Sequence, residues 1–348
     1  MFERMRPGYY VLIALSLIEF SLAFTVGKTE FATYFKTSGL TKMTVPMGAL
    51  FPLLWVGSVT FAITLRQVPR PLAAMRKMIY RDRRWLARGT MFVIMVLMLA
   101  RSFSSYKAAI PEISPYWADL WLVWLDHAIF GTDPWRLTHA VIGPFGTMII
   151  DRVYALWFLV MMVCMGWFCF TRNAALQLRG LLSYLFTWAL LGNIVATVLS
   201  SVGPVFYQRF FHDDRFVPLI DLLHRIDGEH RLVALGAVNY LTETIGQDRM
   251  GGGISAMPSL HVSIAFLVFL GSYTYADSRL LKIATGLFAA TIMLGSVHLG
   301  WHYAVDGIVG IVAVSLIWWG TGRFVDWLDA RDRTAGLSAP ITALPATI

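Results

Sequence analysis

The sequence predicts an all-α fold: a polytopic membrane bundle of about eight transmembrane helices, with interfacial helices on its outer face. Three observations carry this expectation. The 348-residue chain is 57% hydrophobic and only 14% charged, with a mean hydropathy of +0.61, a balance typical of chains that sit in a bilayer. Its apolar residues form runs long enough to cross a hydrocarbon core of about 30 Å, which takes about 20 residues. Its basic residues gather in the short connections between those runs.

Taken in order, the runs lie near residues 9–26, 43–65, 89–106, 148–170, 180–202, 257–276, 280–300 and 303–321. The first carries Glu19 and lacks a small-residue cleavage site, so it is expected to remain as a helix rather than leave as a signal peptide. Cys164 and Cys169 both fall inside the fourth run, where packing rather than a disulfide framework is expected. The connection from Arg66 to Arg88 adds Arg70, Arg76, Lys77, Arg81, Arg83 and Arg84, and the positive-inside rule makes it a cytoplasmic loop. Alternation then puts Arg4 and Arg6, the Arg172 to Arg179 turn, the Arg279/Lys282 turn and the tail from Arg323 on the same inner side.

The chain thus divides into N-terminal helices with a basic loop (1–106), an outer interfacial segment (107–147), a catalytic transmembrane core (148–322) and a cytoplasmic tail (323–348). Gly336 to Ile348 reads as a frayed end. The stretch Ser114 to Gly146 mixes Trp117, Trp121, Trp124 and Trp135 with Asp119, Asp126 and Asp133, which suits short helices in the headgroup layer. Gly203-Pro204 and Gly251-Gly252-Gly253 are structural breaks near run ends. The net charge of +8 comes largely from the inner connections, facing anionic headgroups. No basic stripe interleaved with aromatics is present, so nucleic acid is not implied as a partner.

Two segments place costly polar groups beside hydrocarbon: Met257-Pro258-Ser259-Leu260-His261 and the stretch from His298 to Asp306. His298, His302 and Asp306 are spaced i, i+4 and i+8, which on one helix stacks them along one face. The predicted topology puts His261 and His302 together on the outer side. A histidine held by a carboxylate and facing a second histidine supplies a nucleophile, an orienting group and an acid-base.

Pro258-Ser259-Leu260-His261 resembles the Pro-Ser-x-His motif, and His302-x3-Asp306 the final His-x3-Asp motif, of the type 2 phosphatidic acid phosphatase superfamily. The wording Ser255 to His261 followed by His302-Tyr303-x2-Asp306 is most similar to its inositol phosphorylceramide synthase-like (inositolphosphotransferase-like) branch. The resemblance implies that His302 attacks phosphorus to give a phosphohistidine, Asp306 orients it, and His261 protonates the departing alkoxide. It implies that Ser259 and the backbone amides around it hold phosphate oxygens. The family's first motif is Lys, six residues, then Arg-Pro; here Lys107 is followed after six residues by Ser114-Pro115. Its third motif opens Ser-Arg, where this chain has Gly295-Ser296. Two phosphate-binding arginines are therefore missing, and the substitutes in reach of the argument are Lys107, Arg101, Arg249 and His298, with His298 best placed by spacing.

The resemblance thus implies a multi-pass lipid phosphotransferase or phosphatase of a plasma or inner membrane, with its site on the non-cytoplasmic face. Its substrate would be a membrane lipid and its acceptor a polyol, a lipid-linked alcohol or water, with no cofactor and no metal. A simple phosphatase of phosphatidate or isoprenoid phosphate is the nearest alternative. Two rivals come from other classes: a divalent metal held by His298, His302 and Asp306, and a transporter that uses the buried charges for ion coupling.

Overall fold

The computed structural model describes residues 7–30, 34, 38–249 and 251–334, and all regular structure among them is helical. Arg4, Arg6 and the segment Gly336 to Ile348 lie outside the described residues. The main helices are α1 (Pro7–Thr25), α2 (Ser38–Leu65), α3 (Pro71–Ile113), α4 (Ala118–Phe130), α5 (Pro134–Val141), α6 (Pro144–Ala155), α7 (Trp157–Phe170) and α8 (Ala174–Phe186). They continue with α9 (Val217–His230), α10 (Val233–Glu243), α11 (Leu260–Tyr275), α12 (Arg279–His298) and α13 (Ala304–Thr334). Beyond its last α-helical residue, α8 runs on through a π-helical stretch, Thr187–Val195.

Local sequence sets these boundaries. Prolines stand in the first turns of α3, α5 and α6, where the missing N–H costs nothing. Asn173, Ser259 and Ser278 cap α8, α11 and α12 by accepting hydrogen bonds from Leu176, Val262 and Leu281 N–H.

Among the described residues, six helical stretches are long and apolar enough to cross a membrane: Pro7–Thr25, Pro71–Ile113, Pro144–Phe170, Ala174–Val198, Arg279–His298 and Ala304–Thr334. The second of the eight predicted runs lies inside α2, a helix of 28 residues, whereas the sixth appears as the shorter apolar helix Leu260–Tyr275. For the sixth the cause is local, since Pro258 has no N–H to give and Ser259 caps, which delays the helix to Leu260. The polytopic bundle stands: each of the eight predicted runs corresponds to a helical stretch among the described residues, the sixth, at 16 residues, being the shortest.

The predicted basic loop is also corrected. From Pro71 the chain is continuous helix through Ile113, 43 residues, or roughly 65 Å at 1.5 Å per residue. The arginines from Arg76 to Arg88 therefore lie on a helix surface. There Asp82 pairs with Arg81 at 3.1 Å and with Arg172 at 3.1 Å, and Arg172 lies over the Trp85 ring. Arg323, expected to open a tail, sits within α13.

The core is built where α11 packs on α12, α13, α7 and α8, with α1 and α2 laid against α3. Within it Glu19 of α1 accepts a 2.7 Å hydrogen bond from Asn193 Nδ2 in the π-helical stretch, which satisfies an acid inside an apolar helix. Cys164 and Cys169 are free and buried in α7.

Candidate active site

The start of α11 and the turn between α12 and α13 meet at one end of the bundle, the end opposite Asp82 and Arg172. Helix α12 stops at His298, and Leu299 to Tyr303 cross to α13. The crossing depends on Gly300, whose φ of +76° is one that L side chains rarely adopt. This turn overturns the expected stacking of His298, His302 and Asp306 on one helical face, because the three do not share a helix.

His302 is fixed through its backbone, its N–H donating to the Ser296 carbonyl at 3.0 Å. Its Nδ1 stands 3.4 Å from Asp306 Oδ2, an ion-pair distance longer than a formed hydrogen bond. That carboxylate also accepts the Tyr303 N–H at 3.1 Å. Ser259 N–H donates to the Asp306 carbonyl at 3.2 Å, which locks the two sequence motifs together. His261, the second residue of α11, places its ring centroid 6.1 Å from that of His302. An aromatic wall holds it: Trp157 lies 4.3 Å and Tyr154 5.1 Å away, and Trp157 Nε1 donates to the His261 carbonyl at 2.9 Å.

The other sequence candidates divide. Lys107, near the end of α3, has no hydrogen-bond partner among the described residues, and its charge reaches His261. A Cβ at Gly253 would stand only 3.0 Å from the Lys107 carbonyl, so the Gly251 to Gly253 strap presses directly on α3. Ser259 is fully buried, with its hydroxyl turned into the α11 cap. His298 is fully buried elsewhere, its Nδ1 paired with Thr138 Oγ1 at 2.8 Å and its Nε2 with Thr147 Oγ1 at 2.9 Å. Its ring stacks on His139 at 3.6 Å, and His139 Nε2–H donates to its carbonyl. With both ring nitrogens occupied, His298 is not brought to the histidine pair. Arg101 forks onto Asp248 with two bonds of 2.8 Å, and Thr29 also donates to that carboxylate. Arg249 is exposed in a turn. Neither arginine joins the cluster, because one is consumed by its ion pair with Asp248 and the other faces outward.

Sequence reasoning passed over two residues that position the site. On α4, Asp119 and Asp126 are two turns apart and buried, while Leu120, Trp121 and Trp124 on the other face are exposed. Asp126 accepts the N–H groups of Ala304 at 2.8 Å and Val305 at 3.0 Å, the first two residues of α13. It therefore caps from a distance the helix that carries Asp306, where a carboxylate also suits the helix dipole. Asp119 takes the Tyr303 hydroxyl at 2.8 Å and the N–H groups of Val202 and Gly203 at 2.9 Å each. Gly203 permits this closure, since a Cβ there would stand 2.6 Å from the Trp301 carbonyl. Burial pushes both carboxyls up to about 6, against the pull of these N–H and O–H donors. The signal in the sequence was the rule that singled out the histidines: acids in an apolar helix need partners.

The arrangement offers a nucleophilic nitrogen backed by a carboxylate, a second imidazole within phosphate-bridging reach and one unpaired ammonium. Among the described residues no three His, Cys, Asp or Glu side chains converge as metal ligands would. The model of the PAP2 superfamily matches residues 120–320, more than half of the chain and all of this histidine cluster. No curated protein and no solved structure matches the chain.

Proposed function

The chain belongs to the PAP2 superfamily and is a phosphoryl-transferring enzyme, and from that premise we propose a lipid phosphotransferase or phosphatase that works through a phosphohistidine on His302. The observation that carries this reading is the His302 and Asp306 pair at 3.4 Å with His261 facing it. With Nδ1 turned to Asp306, Nε2 is the nitrogen left to attack phosphorus. A P–N bond forms as the P–O bond to the lipid alcohol breaks. Asp306 steadies the imidazolium, and His261 gives its proton to the departing alkoxide, then takes one from the incoming hydroxyl. Lys107 is the cation for the phosphoryl oxygens. Its site opens beside a helix with an exposed Leu120, Trp121 and Trp124 face, which suits a substrate arriving from the lipid headgroup layer.

Transfer to an alcohol, a polyol such as inositol or a lipid-linked hydroxyl, is favoured over hydrolysis. The support is the cation count: with Ser114 and Ser296 where the superfamily has arginines, Lys107 suits the single charge of a phosphodiester better than a phosphomonoester dianion. We assign the site to the non-cytoplasmic face, because Arg66, Arg70, Arg76, Lys77 and their neighbours cluster at the opposite end of the bundle.

The test is to incubate the purified protein with a panel of lipid phosphates and phospholipids, with and without polyol acceptors, beside His302→Ala. Mass spectrometry is expected to find a new head-group ester that requires the acceptor. Free phosphate in a yield indifferent to acceptor would make the protein a phosphatase, and full activity in His302→Ala would end both versions.

A further inference from the structure

Among the described residues that hold a buried polar donor without a partner, Tyr154 is the one whose ring stacks on a site histidine. The ring lies 5.1 Å from His261, tilted by only 21°. The residue is 8% exposed, and its hydroxyl is buried with no hydrogen-bond partner. A buried phenol is normally hydrogen-bonded, because an unmet donor in a low-dielectric setting is costly. A second observation fixes its place. The ring packs on Gly295, where a Cβ would stand 2.9 Å from Tyr154 Cδ2. Ser296, beside it, spends its hydroxyl on the Met293 carbonyl at 2.8 Å and offers nothing to a ligand. Gly295 and Ser296 thus supply no side-chain donor of their own, and a tyrosine from α6 fills the space against them.

We propose that Tyr154 is a catalytic residue whose hydroxyl donates a hydrogen bond to a non-bridging phosphoryl oxygen of the substrate, an uncharged stand-in for a cationic donor. The inference rests on the reaction proposed above. As His302 Nε2 bonds to phosphorus and the lipid oxygen leaves with the proton from His261, charge shifts on the equatorial oxygens. Tyr154 keeps its proton throughout and stabilises that charge as a fixed dipole. A neutral donor also leaves the total positive charge of the site low, in keeping with Lys107 as its cation.

The hydroxyl makes no bond among the described residues, so Tyr154→Phe removes the donor and leaves the packing intact. The full-length protein, Tyr154→Phe and His302→Ala are compared in lipid–detergent micelles. Dioctanoyl phosphatidic acid and dioctanoyl phosphatidylinositol serve as substrates, and orthovanadate as a mimic of the five-coordinate phosphorus. The expected result is a kcat lowered about 10- to 100-fold with KM within about twofold, vanadate binding weakened by a similar factor, and an unchanged thermal midpoint. Turnover and vanadate affinity both within about twofold of wild type would overturn the assignment. An inactive His302→Ala beside a wild-type-like Tyr154→Phe would remove only the tyrosine's role, whereas an active His302→Ala would remove the reaction it depends on. Should neither lipid be turned over, vanadate affinity alone decides. Should the phenylalanine variant lose its thermal transition, fluorotyrosine at position 154 carries the same comparison, with unchanged vanadate affinity overturning the role.

Discussion

The two ends of the bundle use aspartate in opposite ways. At the basic end, Asp82 is buried but its partners Arg81 and Arg172 are mostly in solvent, 64% and 61% exposed. At the site end, Asp119 and Asp126 are buried and spend their oxygens on backbone N–H groups and the Tyr303 hydroxyl. An arginine on a flexible stem holds two surfaces together without fixing either to a fraction of an ångström. A carboxylate bonded to two consecutive peptide N–H groups fixes a helix start. The chemistry needs that second kind of bond, because a nucleophile displaced by about 1 Å costs on the order of 100-fold in rate.

Substitutions at the two ends break or sharpen this contrast. The largest effect short of removing His302 is expected at Asp306→Asn, which keeps the shape but cannot hold the imidazolium; kcat should fall about 1000-fold with the fold intact by thermal melting. Next comes Asp126→Ala, which strips two N–H groups at the start of α13 of their acceptor. We expect a loss of about 2 kcal/mol in stability and a rate lowered about 10- to 100-fold, read from denaturation and from lipid turnover on the same preparation. A wild-type rate in that variant would show that α13 holds Asp306 beside His302 without help from α4. The smallest effect is expected at Asp82→Asn, with stability changed by less than about 1 kcal/mol because the arginines are solvent-screened and turnover within about twofold. A large loss of turnover there would erase the contrast between the ends.

Much of the fold could be read along the chain, since apolar run length marks a membrane helix without any tertiary knowledge. The histidine pair and Asp306 were legible because they stand in contiguous motifs. What escaped was set by distance and by backbone. Asp126 meets Ala304 and Val305 nearly 180 residues away, and no periodicity in α4 names a partner at that range. His298 looked like a neighbour of His302 because i, i+4 spacing presumes an unbroken helix, and Gly300 breaks it. The arginines between Arg66 and Arg88 looked like a loop because their charge masked a stretch with good helix formers and no breaker after Pro71. Arg101 looked free because Asp248, its partner, lies 147 residues downstream.

The central claim is that His302 carries the phosphoryl group between donor and acceptor. Substrate lipid labelled with radioactive phosphorus, mixed with the protein and quenched in alkali within the first turnover, tests it directly, since phosphohistidine survives base and is lost in acid. The account predicts label on the peptide that contains His302, removed by acid and absent from His302→Ala. Turnover with no protein-bound label, or label on another residue, would contradict it.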